Sequence, residues 1–206
     1  MGISDPRHWG KEFVMRGLLA VLFSLLLLPQ SAWAHAGSGA GWWHPLSGID
    51  HLLAMIAVGG WSVQIGGRAV WIVPSAFVCF MFFGGLLGFE HFELPATEVI
   101  VALSVVLLGV AIAARQRLSP ALATCATGLF GICHGYAHGY EIPVLQNKII
   151  YTVGFLSTTA LLHLVGAFGA HSLQKMAVGE RLLRFLGAAS ALCGVWLVAE
   201  VVYSIR

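Results

Sequence analysis

The chain has 206 residues, of which 58% are hydrophobic and only 10% charged, with a formal net charge of +2. Soluble domains carry roughly a quarter charged residues, so the polar side chains here are too few to cover a soluble globule of this size. The small charge, without a basic patch interleaved with aromatics, excludes nucleic acid as a partner, and no phosphate-cradling glycine loop marks a nucleotide site.

Residues 1–34 read as a cleaved signal peptide. Arg16 precedes the apolar run 18–28, Pro29 breaks it, and Ala32-Trp33-Ala34 fits the small-x-small cleavage rule. Met15 opens this unit, which makes 1–14 an extended N-terminus without a structural role. Ala34-His35-Ala36 satisfies the same rule, so the mature chain starts at His35 or Gly37. An uncleaved first membrane helix is the alternative. The four cysteines, Cys79, Cys125, Cys133 and Cys193, all fall in apolar segments without CxxC spacing and read as small buried hydrophobes, not a disulfide framework.

Residues 35–206 then form one membrane domain. Six apolar stretches follow the signal, about 46–65, 69–89, 96–114, 120–140, 149–170 and 182–203. Each has the roughly 20 residues needed to cross a hydrocarbon core of about 30 Å. Without polar alternation they are not barrel strands. The expectation is an all-α membrane protein, a bundle of six transmembrane helices. Signal cleavage leaves the N-terminus outside, which places Arg68, Arg115, Arg117, Lys175, Arg181 and Arg184 in cytoplasmic loops, against Lys148 and Arg206 outside. The positive-inside rule gives the same orientation: a bacterial inner-membrane protein with both mature termini periplasmic. Glu90, Glu93, Glu98 and Glu141 form an acidic outer rim.

Lipid-embedded helices associate through small residues. Gly131, Gly135 and Gly139 make a stripe on the fourth stretch, expected to admit the first helix. Gly84, Gly85 and Gly88, and Gly187, Ser190, Ala191 and Gly194, offer similar faces, through which the chain could form a homo-oligomer.

Ionisable residues inside membrane helices are costly and mark polar pathways. The first stretch opens with His44-Pro45, with Pro45 expected at the first helical position, and continues to Asp50-His51. The fourth ends with His134, His138 and Glu141, closed by Pro143. On an ideal helix His44 and His51 lie about 20° apart, and His134, His138 and Glu141 fall within an arc of about 60°. Because the two helices run oppositely, His44 and Glu141 are shallow, Asp50, His51 and His134 deeper, and His138 between them. That is a ladder of metal ligands: His44, Asp50, His51, His134, His138 and Glu141. Secondary candidates are His35, Glu90, His91 and His163. Glu90 and His91 read equally as a wet loop, and His163 equally as a hydrogen-bonded helix contact beside Thr158 and Thr159. Met55 and Met81 read as packing residues. Imidazole with carboxylate suits nickel, cobalt, zinc or copper and not calcium or magnesium.

At these residues the chain resembles the HupE/UreJ family. Its first motif, a histidine, five residues and Asp-His, is matched by His44, Asp50 and His51. Its second, Phe-His-Gly-x-Ala/Val-His-Gly-x-Glu, is matched by His134, Gly135, His138, Gly139 and Glu141, with Cys133 where the pattern has phenylalanine. The resemblance implies a permease taking up Ni2+, or Co2+, for hydrogenase or urease maturation, with the ion as cargo, no prosthetic group and no enzymatic activity. The competing reading of the same residues is an intramembrane zinc hydrolase, in which three histidines hold the metal and Asp50 or Glu141 is the base.

Overall fold

The computed structural model describes residues 40–91, 93–143 and 146–204. The proposed signal segment and His35 lie outside them. Seven helices follow one another: α1 (Ala40–Ser47), α2 (Ile49–Ile65), α3 (Ala69–Phe89), α4 (Thr97–Ala113), α5 (Pro120–Tyr140), α6 (Lys148–Gln174) and α7 (Gly179–Ser204). The described residues contain no strand.

Three of these helices, α3, α6 and α7, are long and apolar enough to cross a membrane, and α1 with α2 makes a fourth candidate if the bent pair is one span. α4 is apolar but only 17 residues long, about 25 Å at the helical rise and short of a full hydrocarbon core. α5 has 21 residues, but glycines and two histidines in its second half dilute its apolar character. The surface is that of a multi-pass membrane protein. Trp71, Phe168, Phe185 and Leu192 are exposed, while His51, Gln64, Ser104, His134, His138 and His163 are buried. Polar groups inside and apolar groups outside is the arrangement lipid selects.

The first predicted span is not one straight helix. α1 and α2 meet at an angle of 86°, with Gly48 extended at the junction (φ −92°, ψ 119°). Pro45 lies inside α1 and not at a first helical position, where its missing N–H leaves the Gly41 carbonyl without its helical donor. Ser47 Oγ donates to the His44 carbonyl at 2.7 Å and closes the last turn of α1. α2 restarts as Leu52 N–H donates to the Gly48 carbonyl at 2.9 Å. The other helices begin as their sequences direct. Ser119 Oγ accepts from Leu122 N–H, with Pro120 opening α5. Asn147 Oδ1 accepts from both Ile149 and Ile150 N–H at the start of α6.

The glycines then determine which helices meet. A Cβ on Gly131, Gly135 or Gly139 would strike the carbonyl oxygens of Phe77, Met81 and Gly85, all on α3, and Gly84 and Gly88 face Ile132 and Tyr136 of α5 in return. The stripe expected to receive the first helix therefore receives α3. α2 instead packs on α6, where Gly59 lies against the His163 carbonyl and Gly166 against the Ile56 carbonyl. α1 rests on α6 through Gly41 and Gly154. α4 pairs with α7, with Gly109 against Gly187 and Ala191 and Gly194 against Val106. The glycine faces considered for contact with a second copy are filled within the chain. At the opposite end of the bundle from His44, Arg115 and Glu180 pair at 2.6 Å and Arg184 Nε donates to the Ala113 carbonyl, tying α4 to α7.

Candidate metal-binding site

The bend at Gly48 brings α1 over the end of the bundle, so that side chains from α1, α2 and α5 meet. Four imidazoles form a continuous chain. His44 lies 4.8 Å from His138, His138 lies 4.6 Å from His51, and His51 lies 4.8 Å from His134, measured between ring centroids, all edge to face. Along this chain the order is His44, His138, His51, His134. The ideal-helix angle of about 20° expected between His44 and His51 does not apply, since they stand on separate helices that meet at 86°.

Carboxylates flank both ends of the upper part of this chain. Asp50 Oδ1 accepts from the backbone N–H of His51 at 2.7 Å and lies 2.8 Å from its Nδ1. An ionised carboxylate only accepts, so Nδ1 carries a proton, and in the neutral ring Nε2 presents a lone pair. This is the carboxylate–imidazole pairing that orients metal-ligating histidines. His44 Nε2 pairs with Glu141 Oε2 at 2.8 Å. Glu141 is the C-cap of α5, beyond its last turn. Partial burial works against its charge, but the hydrogen bond and charge of His44 outweigh this and hold its carboxyl below the ordinary glutamate range.

His134 is held from α4. Its Nε2 lies 2.9 Å from Ser104 Oγ, which also donates to the Val101 carbonyl at 2.6 Å. The hydroxyl has one proton and the carbonyl can only accept, so His134 Nε2 donates and Nδ1 is left bare. His51 Nε2, His134 Nδ1 and both nitrogens of His138 are buried without a hydrogen-bond partner. Each such atom costs roughly 1–3 kcal/mol when left unsatisfied. The four lie together, where neighbouring rings touch edge to face. Among the described residues, no three histidine, cysteine or carboxylate side chains are gathered as a ready-made metal centre. The donors are strung out rather than closed around a point.

A partly open cavity of about 180 Å³ leads to this chain, lined by His44, Ser47, Gly48, Asp50, His51, Glu98 and Glu141. Its lining has three carboxylates and no lysine or arginine, so its field favours cations. The six principal candidates thus come together. Among the described residues the secondary ones do not join them: Glu90 and His91 lie exposed at the end of α3, with His91 against Tyr140. His163 is buried elsewhere, its Nδ1 2.7 Å from the Met55 carbonyl.

Two residues take parts that the sequence reading did not assign. Glu98 was placed on the outer rim, but left-handed Ala96 (φ 61°) and the Thr97 hydroxyl bond to the Leu94 carbonyl turn the start of α4 so that Glu98 reaches the cavity. Ser104 was unremarked; a hydroxyl halfway along an otherwise apolar helix was the available signal. Ser104→Ala should lower the affinity for a transition-metal ion about 10- to 100-fold, the usual cost of removing a residue that orients a ligating histidine. Metal titration of the purified chain checks it.

The family described as HupE / UreJ protein matches residues 23–197 of the chain. Protein HupE of Rhizobium leguminosarum bv. viciae is 42% identical over 185 residues, covering 87% of this chain and 96% of that protein. No solved structure matches.

Proposed function

The chain belongs to the HupE / UreJ family, a family associated with nickel and cobalt transport and with hydrogenase and urease accessory roles, and from that premise we propose that it is a permease for divalent transition-metal ions, carrying Ni2+ into the cell to supply a nickel enzyme. The observation that carries this reading is the string of four imidazoles with unpartnered nitrogens, reached through an acidic cavity.

The Asp50, Glu98 and Glu141 carboxylates collect the hydrated cation at the cavity mouth. His44 and His138 accept it first, and His51 with His138, then His134, take it deeper. Neighbouring rings share the ion between successive pairs, so no step strips it of all nitrogen ligands. Conduction needs binding strong enough to admit the ion and weak enough to release it. A row of incomplete sites supports that better than one closed shell would. On the reading of six spans after a cleaved signal, the cavity opens on the periplasmic side of the inner membrane, with uptake driven by the metal gradient that intracellular sinks maintain.

Cells expressing the chain should accumulate Ni2+ above control cells when offered nickel, cobalt, zinc and copper in parallel, with cobalt the second-best cargo. Accumulation confined to zinc or copper, or none, would remove the reading. The orientation has its own test. A reporter fused after Arg206 should be active only outside the cytoplasm, and one fused after Arg117 only inside. A cytoplasmic C-terminus would mean an odd number of spans.

A further inference from the structure

His163 takes no part in the imidazole chain, yet it is only 2% exposed. Its Nδ1 donates to the Met55 carbonyl at 2.7 Å, which can only accept, so Nε2 is the bare nitrogen, and it has no hydrogen-bond partner. One turn away on the same face of α6, Thr159 Oγ1 lies 3.3 Å from Met55 Sδ and 3.4 Å from Met81 Sδ. Both methionines are fully buried. A hydroxyl has one proton, so it can serve only one of the two sulfurs at a time. The Phe77 ring touches both His134, at 5.3 Å, and His163, at 5.1 Å. This group therefore adjoins the inner end of the imidazole chain, with Met55 one turn beyond His51 along α2.

We propose that Met55, Met81 and His163 form a second cation site of softer character, in which two thioethers and one imidazole hold a soft or borderline transition-metal ion after it leaves His134. Thioether and imidazole donors suit such ions and exclude calcium and magnesium. Thr159 positions the sulfurs, and its hydroxyl can turn away when a metal takes their lone pairs. Packing alone accounts for buried methionines. It does not account for an imidazole with an empty nitrogen one helical turn from a hydroxyl on which two sulfurs converge. As a step in transport the site rests on the permease reading; as a binding site it does not.

The test uses the full chain made with selenomethionine, purified in detergent, loaded with excess Cu(I) and studied by X-ray absorption at the selenium edge. Copper held by cysteine is invisible at that edge. A copper neighbour of selenium should appear in the wild-type chain and in His51→Ala, and should vanish in Met55→Leu/Met81→Leu. His163→Phe should need at least tenfold more Cu(I) to show it. Nickel uptake by the double methionine variant, at normal membrane level, should fall at least fivefold. A selenium edge without copper in the wild-type chain, or a copper neighbour that persists in the double variant, overturns the site. Unchanged uptake by the double variant overturns its place on the path. Failure of the permease reading itself appears elsewhere, as normal uptake by His51→Ala, which leaves the selenium result untouched.

Discussion

His51→Ala should reduce nickel uptake to the level of cells without the protein, a loss of about a hundredfold, while the chain still reaches the membrane in normal amount. Removing even a group that orients a metal-ligating histidine costs about 10- to 100-fold, so removing the ligand itself belongs at the upper end or beyond. His51 is the imidazole that touches two others, His134 and His138. Without it the chain breaks in the middle, and neither neighbour has a substitute donor within the described contacts. Its Asp50 partner would be left as a half-buried carboxylate without its imidazole. Asp50→Asn should be milder, because the amide oxygen still accepts from Nδ1 and keeps the ring in place. His171→Ala, in the last turn of α6 and outside the imidazole chain, should have little effect. Uptake assays with membrane-level controls check all three, and normal uptake by His51→Ala would contradict the account.

Gly135→Leu should prevent assembly, and Gly135→Ala should already be severe. Metal coordination alone would make alanine mild, since glycine binds no ion. The packing says otherwise. A single added Cβ at Gly135 would land on the Met81 carbonyl oxygen and crowd the Met81 backbone at 2.7–2.8 Å. That neighbour is backbone within a helix and cannot swing aside. Gly139 is nearly as tight against Gly85, with its Cβ 3.0 Å from the Gly85 Cα. Helices in lipid have no hydrophobic drive to meet and depend on this approach. Forcing α3 from α5 would also shift His134 and His138, and metal–nitrogen bonds of about 2.0–2.1 Å do not stretch to follow. By contrast Gly169→Ala meets nothing within 4 Å and should be silent. Membrane level and thermal unfolding in detergent are the readouts. A normal level and normal transport for Gly135→Leu would mean that α3 does not pack there.

The apolar blocks made the helices legible, because in lipid each backbone group must be satisfied within its own segment. Chain direction and spacing were enough to pick out His44, Asp50, His51, His134, His138 and Glu141 as one group. The break at Gly48 was not legible, since Pro45 and Gly48 are as acceptable at the start of one helix as at the joint between two. The glycine stripe was visible on α5, but a small face names no partner, and α3 competes with α2 for it. Glu98 and Ser104 were missed for the same reason. Their roles come from which helices meet, and that is settled by backbone contacts such as Gly59 on His163 and Gly109 on Ala191.

Passage of the ion along the imidazole chain is tested by Ni2+ entry into liposomes that contain only the purified chain and a trapped nickel-sensitive dye. Saturable entry is expected in the wild-type chain, slowed by competing Co2+, and entry no faster than protein-free liposomes for His51→Ala and for His134→Ala. Equal entry in wild-type and variant liposomes, or no entry above the protein-free rate in any of them, would contradict it.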